Sequence, residues 1–353
     1  MSTTVRWAWA EIDLAAIAHN VGVLRERVAP SAVWVVVKAD GYGHGAHDVA
    51  RAAIAAGAEG LCVALVEEGI ELRRAGIDAP ILVLSEQPPE SAARIIEHRL
   101  TPTVYRRAFL DALVAERPAG LPVHLKVDTG MQRVGVHPHA AASMAAAIAQ
   151  RAPAVRLAGV FTHLAVADER DASSVEATDL QLAKFGKVLE QLPAVPVVHA
   201  ANSAAALSRP DARLSLVRAG IAVYGISPGH GVDDLCGDLR PAMELRARVS
   251  FVKQVRSGSR ISYGLRHRFD RDTTVATVPI GYADGVPRRL SAVGGSVLIG
   301  GRRRPIVGVV TMDQLMVDCG DDEVGVGDDV TLIGAQRTPD GQLEEIRATE
   351  WAD

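Results

Sequence analysis

The chain reads as an α/β protein: a TIM-like (β/α)8 barrel at the N-terminal side, followed by a C-terminal, mostly β-strand domain. Three observations predict this. From about residue 33 to 230, short apolar runs alternate with amphipathic stretches, the rhythm of strands feeding helices. Those runs number eight, as in a closed barrel. After Pro241 the helical period stops, and β-branched runs split by Gly-rich turns take over.

In chain order, Arg6–Ile12 alternates like a strand and is expected to pair with the C-terminal sheet. Leu14–Val28 is the first helix. The expected barrel strands are Val33–Lys38, Gly60–Ala64, Ile81–Leu84, Pro102–Tyr105, Val123–Val127, Val155–Phe161, Val197–Ala200 and Leu214–Arg218. Helices such as Ala46–Ala56, Val66–Ala75, Ser91–His98, Pro138–Arg151 and Thr178–Gln191 lie between them. A doubly wound sheet shares this local periodicity but would not normally need eight successive units. The Gly- and Asp-rich segment Gly229–Arg240 is the expected linker. Beyond it, Glu244–Val255, Thr273–Pro279, Ser296–Ile299, Ile306–Asp318 and Asp329–Ile333 read as strands, and Arg302-Arg303-Arg304 as a solvated hairpin turn. The expected domains are 12–232, and 241–353 together with 1–11.

Composition excludes several classes. With 353 residues, 48% hydrophobic content and a net charge of −4, the chain offers no electrostatic case for nucleic acid or an anionic membrane as partner. Cys62, Cys236 and Cys319 are odd in number and far apart, which argues against a disulfide framework or a metal site and for a reducing compartment. Residues 1–13 lack the basic and apolar regions of a signal peptide, and no apolar run is long enough to span a bilayer. The expected location is cytoplasmic.

The chemistry falls at the predicted strand ends, where a barrel carries its active site. The first strand delivers Lys38 into Ala39-Asp40-Gly41-Tyr42-Gly43. A lysine leaving an apolar strand is partly desolvated, which lowers its pKa and suits it to a Schiff base with an aldehyde cofactor. The fifth strand runs into Asp128-Thr129-Gly130-Met131-Gln132-Arg133, the sixth into Thr162-His163, the seventh into Asn202-Ser203 and the eighth into Arg218-Ala219-Gly220-Ile221. Ser203 opening a helix, with the amides of Gly220 and Ile221, would cradle a phosphate. Each feature alone is weak, because a serine there is usually an N-cap and a lone histidine is usually core. Together they suit pyridoxal 5′-phosphate. Lys38 would hold its aldehyde, and Ser203, Tyr42, Gly220 and Ile221 its phosphate. His163 would pack on the ring, and Arg218 would face the pyridine nitrogen.

These segments, with Ser262-Tyr263-Gly264, Gly281-Tyr282-Ala283-Asp284-Gly285 and Met312-Asp313-Gln314, resemble the alanine racemase family along essentially the whole chain. The resemblance implies interconversion of L- and D-alanine, with D-alanine going to peptidoglycan. It implies two bases, Lys38 on the D-alanine face and Tyr263 on the L-alanine face, with Tyr263 supplied by the partner of a head-to-tail homodimer that shares its active sites. A phenol is a poor base at its ordinary pKa near 10, so His163 and Arg218 are expected to assist Tyr263 through hydrogen bonds. An arginine at the pyridine nitrogen stays charged and cannot pass the ring a proton, which weakens the ring as an electron sink and limits side reactions.

By the same resemblance, Arg133 contacts the cofactor's phenolic oxygen and helps bind substrate, and Lys126 is a candidate N6-carboxylysine that orients Arg133. The Met312 amide takes the substrate carboxylate. Tyr282 and Asp284 belong to a narrow access channel. Two departures stand out. Thr311 replaces a frequent cysteine. The chain also stops at Asp353, before a terminal strand and a phosphate-contacting tyrosine that relatives carry, so weaker cofactor retention and an open sheet edge are expected. The rivals are a serine or broad-specificity racemase, a decarboxylase of the same barrel, a non-catalytic carrier of the cofactor, and a relative of impaired activity. Arg218 argues against the decarboxylase, and the second domain against the carrier.

Overall fold

The computed structural model describes residues 6–352. The expected contribution of residues 1–5 and Asp353 to the β-domain lies outside them. The chain divides into two compact units, one spanning Leu14–Ala242 and the other joining the segment up to Asp13 with Met243 onward.

The first unit is a closed parallel barrel. Among the described residues its eight strands are Ala32–Val36, Gly60–Val63, Ile81–Val83, Thr101–Val104, Leu121–Lys126, Val155–Phe161, Val197–His199 and Leu216–Ala219. The first seven pair in sequence order, and the eighth pairs with the first. The seventh and eighth are joined by the Ser215 N–H to Val198 O and the Arg218 N–H to Ala201 O, both 3.0 Å. This sequential, closing order rules out the doubly wound alternative. Helices form where one face is apolar: Leu14–Val28 buries Ala16, Ile17, Val21, Leu24 and Val28 at helical spacing. One expected helix begins earlier than its apolar period, because Asp171 caps it by accepting the N–H groups of Ser173 and Ser174 at 3.0 and 3.1 Å; it spans Ala172–Leu189. The expected linker proves to be ordered barrel structure. Asn20 takes the Arg240 N–H and donates to Arg240 O, both at 2.8 Å, and a helical turn covers His230–Leu235.

The second unit is an antiparallel sheet. In spatial order its strands are Ala8–Ile12, Met243–Arg248, Asp329–Arg337, Ser296–Ile299, Arg302–Val307, Leu315–Gly320, Thr273–Val278 and Phe251–Val255, with Leu343–Ile346 branching from Asp329–Arg337. The N-terminal strand pairs with Met243–Arg248 as expected. Three expectations are corrected. Glu244–Val255 is two strands, because the chain changes partners at Val249 and Ser250. Ile306–Asp318 breaks after Val307, where Gly308 takes φ of 71°. Arg302–Arg304 is strand and not turn. The turn is Gly300-Gly301, whose positive φ values of 60° and 69° suit a two-residue hairpin loop, and the arginines pair outward with Asp322 and Glu350. Among the described residues, no helix is long and apolar enough to cross a membrane.

Candidate active site

The barrel rim encloses a cavity of about 470 Å³ lined by Lys38, Tyr42, Lys126, Arg133, His163, Asn202, Ser203, Arg218, Gly220 and Ile221, with Val36, Leu84 and Phe161 among the apolar walls. All ten polar or backbone groups that the sequence assigned to the barrel side of the site therefore meet in one place. Tyr263, Tyr282, Asp284 and Met312 belong to the β unit.

Lys38 follows the first strand in an unusual turn. Ala39, Asp40, Gly41 and Tyr42 all have φ between 51° and 62° and ψ between 36° and 53°, which is one turn of left-handed helix. Only glycine adopts this conformation without cost; other residues lose about 1–2 kcal/mol each. The turn is held by specific partners. Glu68 accepts the Ala39 N–H at 2.6 Å and, on its other oxygen, those of Ala64 and Leu65 at 2.7 and 3.0 Å. Asp40 accepts the Ala46 N–H at 2.8 Å. The turn swings the Tyr42 ring back toward Lys38, whose Nζ lies 5.9 Å from its centroid. The Tyr42 ring also packs at a tilt against the buried Tyr224, with centroids 4.8 Å apart.

Tyr42 Oη reaches the backbone of Gly220 so closely that a Cβ there would stand 2.7 Å from it. Ser203 Oγ accepts the N–H groups of Gly220 at 2.8 Å and Ala222 at 3.3 Å. The Gly220 amide thus acts through Ser203, whose own O–H is left to donate. Asn202 caps the following helix by accepting the Ala205 N–H at 3.0 Å. The side-chain and backbone donors at this end of the cavity form a cradle that only glycine at position 220 leaves open.

At the other end Arg218 is 3% exposed. It donates to Thr162 O and Ala200 O at 2.9 Å and to His163 Nδ1 at 3.2 Å. It also donates to His199 Nδ1 at 2.8 Å. An arginine only donates, so both Nδ1 atoms are acceptors and both rings carry their proton on Nε2. His199 then passes its N–H to His124 Nδ1 at 3.0 Å, while His163 keeps its Nε2–H for the cavity. Burial, then Arg218 and the cations Arg133, Lys126 and Lys38, push His163 down to about 2, so it is neutral at physiological pH. Burial also lowers Arg218 to about 10, leaving it charged there. Phe161 stacks on His199 at 4.6 Å and lies beneath both Lys126 and Arg218.

Sequence reasoning missed His199, His124, Phe161 and Glu68. His199 and Phe161 stand at the ends of their strands with no role legible in the sequence, His124 is visible only as a polar residue inside an apolar strand, and nothing near Lys38 announces Glu68.

Lys126 donates to Leu84 O at 3.3 Å. Burial first, then the charges of Arg218 and Arg133, lower it from 10.5 to about 7. Between about pH 7 and 10.5 the unfolded chain keeps a proton that the folded one has lost, so stability rises with pH across that window. In carbon dioxide-free buffer, the urea midpoint should climb from pH 7 to 10 by an increment that Lys126→Met lacks. Parallel profiles for the two proteins would refute the shift.

In the β unit, Tyr263 sits on a tight turn between the short strands Arg260–Ile261 and His267–Arg268. Ser262 and Gly264 have φ of 64° and 74°, and Ser262 Oγ donates to Val309 O at 2.7 Å. The ring is 69% exposed. The Tyr282 and Ala283 N–H groups bond to Thr311 O and Met312 O, both at 3.0 Å, which sets Tyr282 beside Met312. Asp284 accepts from Arg6 at 2.6 Å and from the Gly281 N–H at 3.0 Å, and Arg6 holds its carboxyl below the usual range. Tyr263, Leu265, Tyr282 and Met312 are all exposed; the Tyr263 turn is bonded to Val309 and the Tyr282 turn to Thr311 and Met312 on the same segment.

A cavity with four cationic side chains, one of them a rim lysine, and an amide–hydroxyl cradle suits a flat, phosphorylated aldehyde, so the residues present fit pyridoxal 5′-phosphate. The fold and site thus define a barrel enzyme of the pyridoxal-phosphate class. Residues 12–228 match the family described as alanine racemase, N-terminal domain, and residues 242–353 match alanine racemase, C-terminal domain. The alanine racemase of Symbiobacterium thermophilum is 46% identical over 99% of this chain and 92% of its own length. That of Thermobifida fusca is 45% identical over 98% and 92%. The crystal structure of the Bacillus anthracis alanine racemase with bound L-Ala-P superposes with a TM-score of 0.91 at 39% identity, covering 99% of this chain and 90% of that one. The chain belongs to the alanine racemase family.

Proposed function

We propose that this protein is an alanine racemase that interconverts L- and D-alanine with two proton-transferring groups on opposite faces of the substrate, in a homodimer whose subunits share active sites. The observation that carries the reading is the cation-lined cavity in which Lys38, Tyr42, Ser203, Arg218 and His163 converge. Lys38 would hold the cofactor's aldehyde, Tyr42, Ser203 and the Ile221 amide its phosphate, with the Gly220 N–H acting through Ser203, Arg218 its ring nitrogen and Arg133 its phenolic oxygen. When bound, the cofactor supplies the electron sink that acidifies the substrate's α-hydrogen.

Lys38 Nζ moves the proton on the D-alanine face, and the Tyr263 phenol moves it on the L-alanine face. His163, neutral and donating from Nε2, supplies the hydrogen bond that steadies the phenolate form of Tyr263. The surrounding cations attract the substrate carboxylate, with Arg133 and the Met312 amide orienting it. Lys126, deprotonated near neutrality, is the nucleophile for carbon dioxide that would make N6-carboxylysine. Tyr282 and Asp284 narrow access to small side chains. The product D-alanine would serve peptidoglycan. The unpaired cysteines suit a reducing compartment, and we read the enzyme as cytoplasmic.

The direct test is a chiral assay of pure L- and pure D-alanine with added pyridoxal phosphate. Both should reach the racemate, faster than either enantiomer of serine. No inversion from either side would sink the reading.

The exposure of the large side chains Tyr263, Leu265, Tyr282 and Met312 favours a subunit partner, and mixing variants tests it. Lys38→Ala and Tyr263→Phe proteins, unfolded and refolded together, should regain about one quarter of wild-type activity, because half the dimers are hybrids with one intact site of two. No recovery, with dimers present, would place both bases on one chain.

A further inference from the structure

The helix Ala172–Leu189 buries Thr178, Gln181, Phe185 and Val188 along one stripe. A glutamine on such a stripe is costly unless both ends of its amide are bonded. Gln181 is 4% exposed, and both ends are used. Nε2 donates to the main-chain carbonyl of His163 at 3.0 Å and to Thr129 Oγ1 at 3.4 Å. Oε1 accepts the Ala165 N–H at 2.9 Å. Thr129 Oγ1 is 2.8 Å from Thr162 Oγ1, next to His163. One side chain therefore grips the segment presenting His163 from both sides and ties it to the loop that ends at Arg133. That loop makes room for it: a Cβ on Gly130, whose φ is 153°, would press on Gln181 Cγ at 3.2 Å.

We propose that Gln181 is a positioning residue for His163, holding its backbone so that Nδ1 meets Arg218 and Nε2–H is left for the cavity. This role presupposes the reading of His163 as part of the proton-transfer machinery. No other side chain of this length supplies a donor and an acceptor together without charge. Methionine would fill the space but leave His163 O and the Ala165 N–H unbonded. Glutamate would still accept from Ala165, yet would set an oxygen against the His163 carbonyl. In either case the clamp on the His163 segment opens, and the imidazole loses its fixed distance to Arg218.

The test separates positioning from general support. The groups facing His163 are Arg218, Arg133, Lys126 and Lys38; burial first, then the charge of Arg218 and these neighbours, keep the ring neutral, Lys126 adding its charge only below about pH 7. In cofactor-free wild-type protein, the His163 imidazole, assigned by its loss in His163→Asn, should not titrate between pH 5 and 8 by NMR. In Gln181→Met it should titrate inside that window, because a released ring meets water. In the cofactor-loaded enzyme, kcat should fall about 10- to 100-fold, with KM for alanine changed by less than about threefold. If Gln181→Met does not fold, Gln181→Glu is expected to show the same titration.

A lowered melting temperature with a silent His163 and an unchanged kcat would assign Gln181 a merely structural role and overturn the proposal. Wild-type kcat in His163→Asn would instead overturn the reading of His163 itself, whatever the ring of the Gln181 variants does.

Discussion

Lys38→Ala should lower racemisation more than about 10⁴-fold, since in the proposed function one side chain both holds the cofactor and moves a proton, and general base catalysis alone contributes roughly 10²–10⁴. The loss should not come from unfolding. Lys38 is half-buried at the rim, and the left-handed turn after it is held through the Ala39 N–H and the Asp40 carboxylate, which alanine at 38 leaves in place. The melting temperature of the cofactor-free protein should therefore stay close to wild type. Pyridoxal phosphate should wash out on gel filtration from the variant and not from the parent. A small amine such as methylamine can enter a cavity of about 470 Å³ and should restore part of the rate. Racemisation within tenfold of wild type would remove Lys38 from the chemistry.

Tyr263→Phe should cost about 10²–10⁴-fold in racemisation, yet leave one half-reaction running. Mirror-image substrates have an equilibrium constant of one, so kcat/KM must fall equally in both directions. Comparing directions by rate therefore says nothing about which base was lost. Isotope exchange does. In deuterated water, the variant should replace the α-hydrogen of D-alanine by deuterium with retention, because Lys38 still works on that face, while L-alanine exchanges far more slowly. The substitution removes a single oxygen from a ring that is 69% exposed, so a folding defect is not expected. Equal exchange of both enantiomers would show that one group serves both faces and would refute the two-base reading.

Much of this site was legible in the chain because it is carried by local order. Eight apolar runs at the spacing of βα units define a barrel, and a barrel puts strand ends on one rim. That alone predicts the company of Lys38, Arg133, His163, Ser203 and Arg218. The limits of local reading are equally specific. Arg302–Arg304 looks like a turn by charge, but Gly300 and Gly301 supply the two positive φ values, and the arginines find carboxylates elsewhere in the sequence. Glu244–Val255 looks continuous, since a change of strand partner at Val249 leaves no mark on the apolar pattern.

The sequence by itself determined the architecture, the family and the identity of the groups lining the cavity. Only the tertiary structure decided their posture. Ala39, Asp40 and Tyr42 take left-handed conformations against their intrinsic preference because Glu68, 29 residues away, accepts the Ala39 N–H. His163 shows Nε2–H to the cavity because Arg218, 55 residues on, occupies its other nitrogen, and Gln181 grips its backbone from a helix 18 residues away. Periodicity and turn chemistry act within a window of neighbours and can be read along the chain. A hydrogen bond between distant residues has no such signature, and it forms only when the closed barrel brings donor and acceptor together.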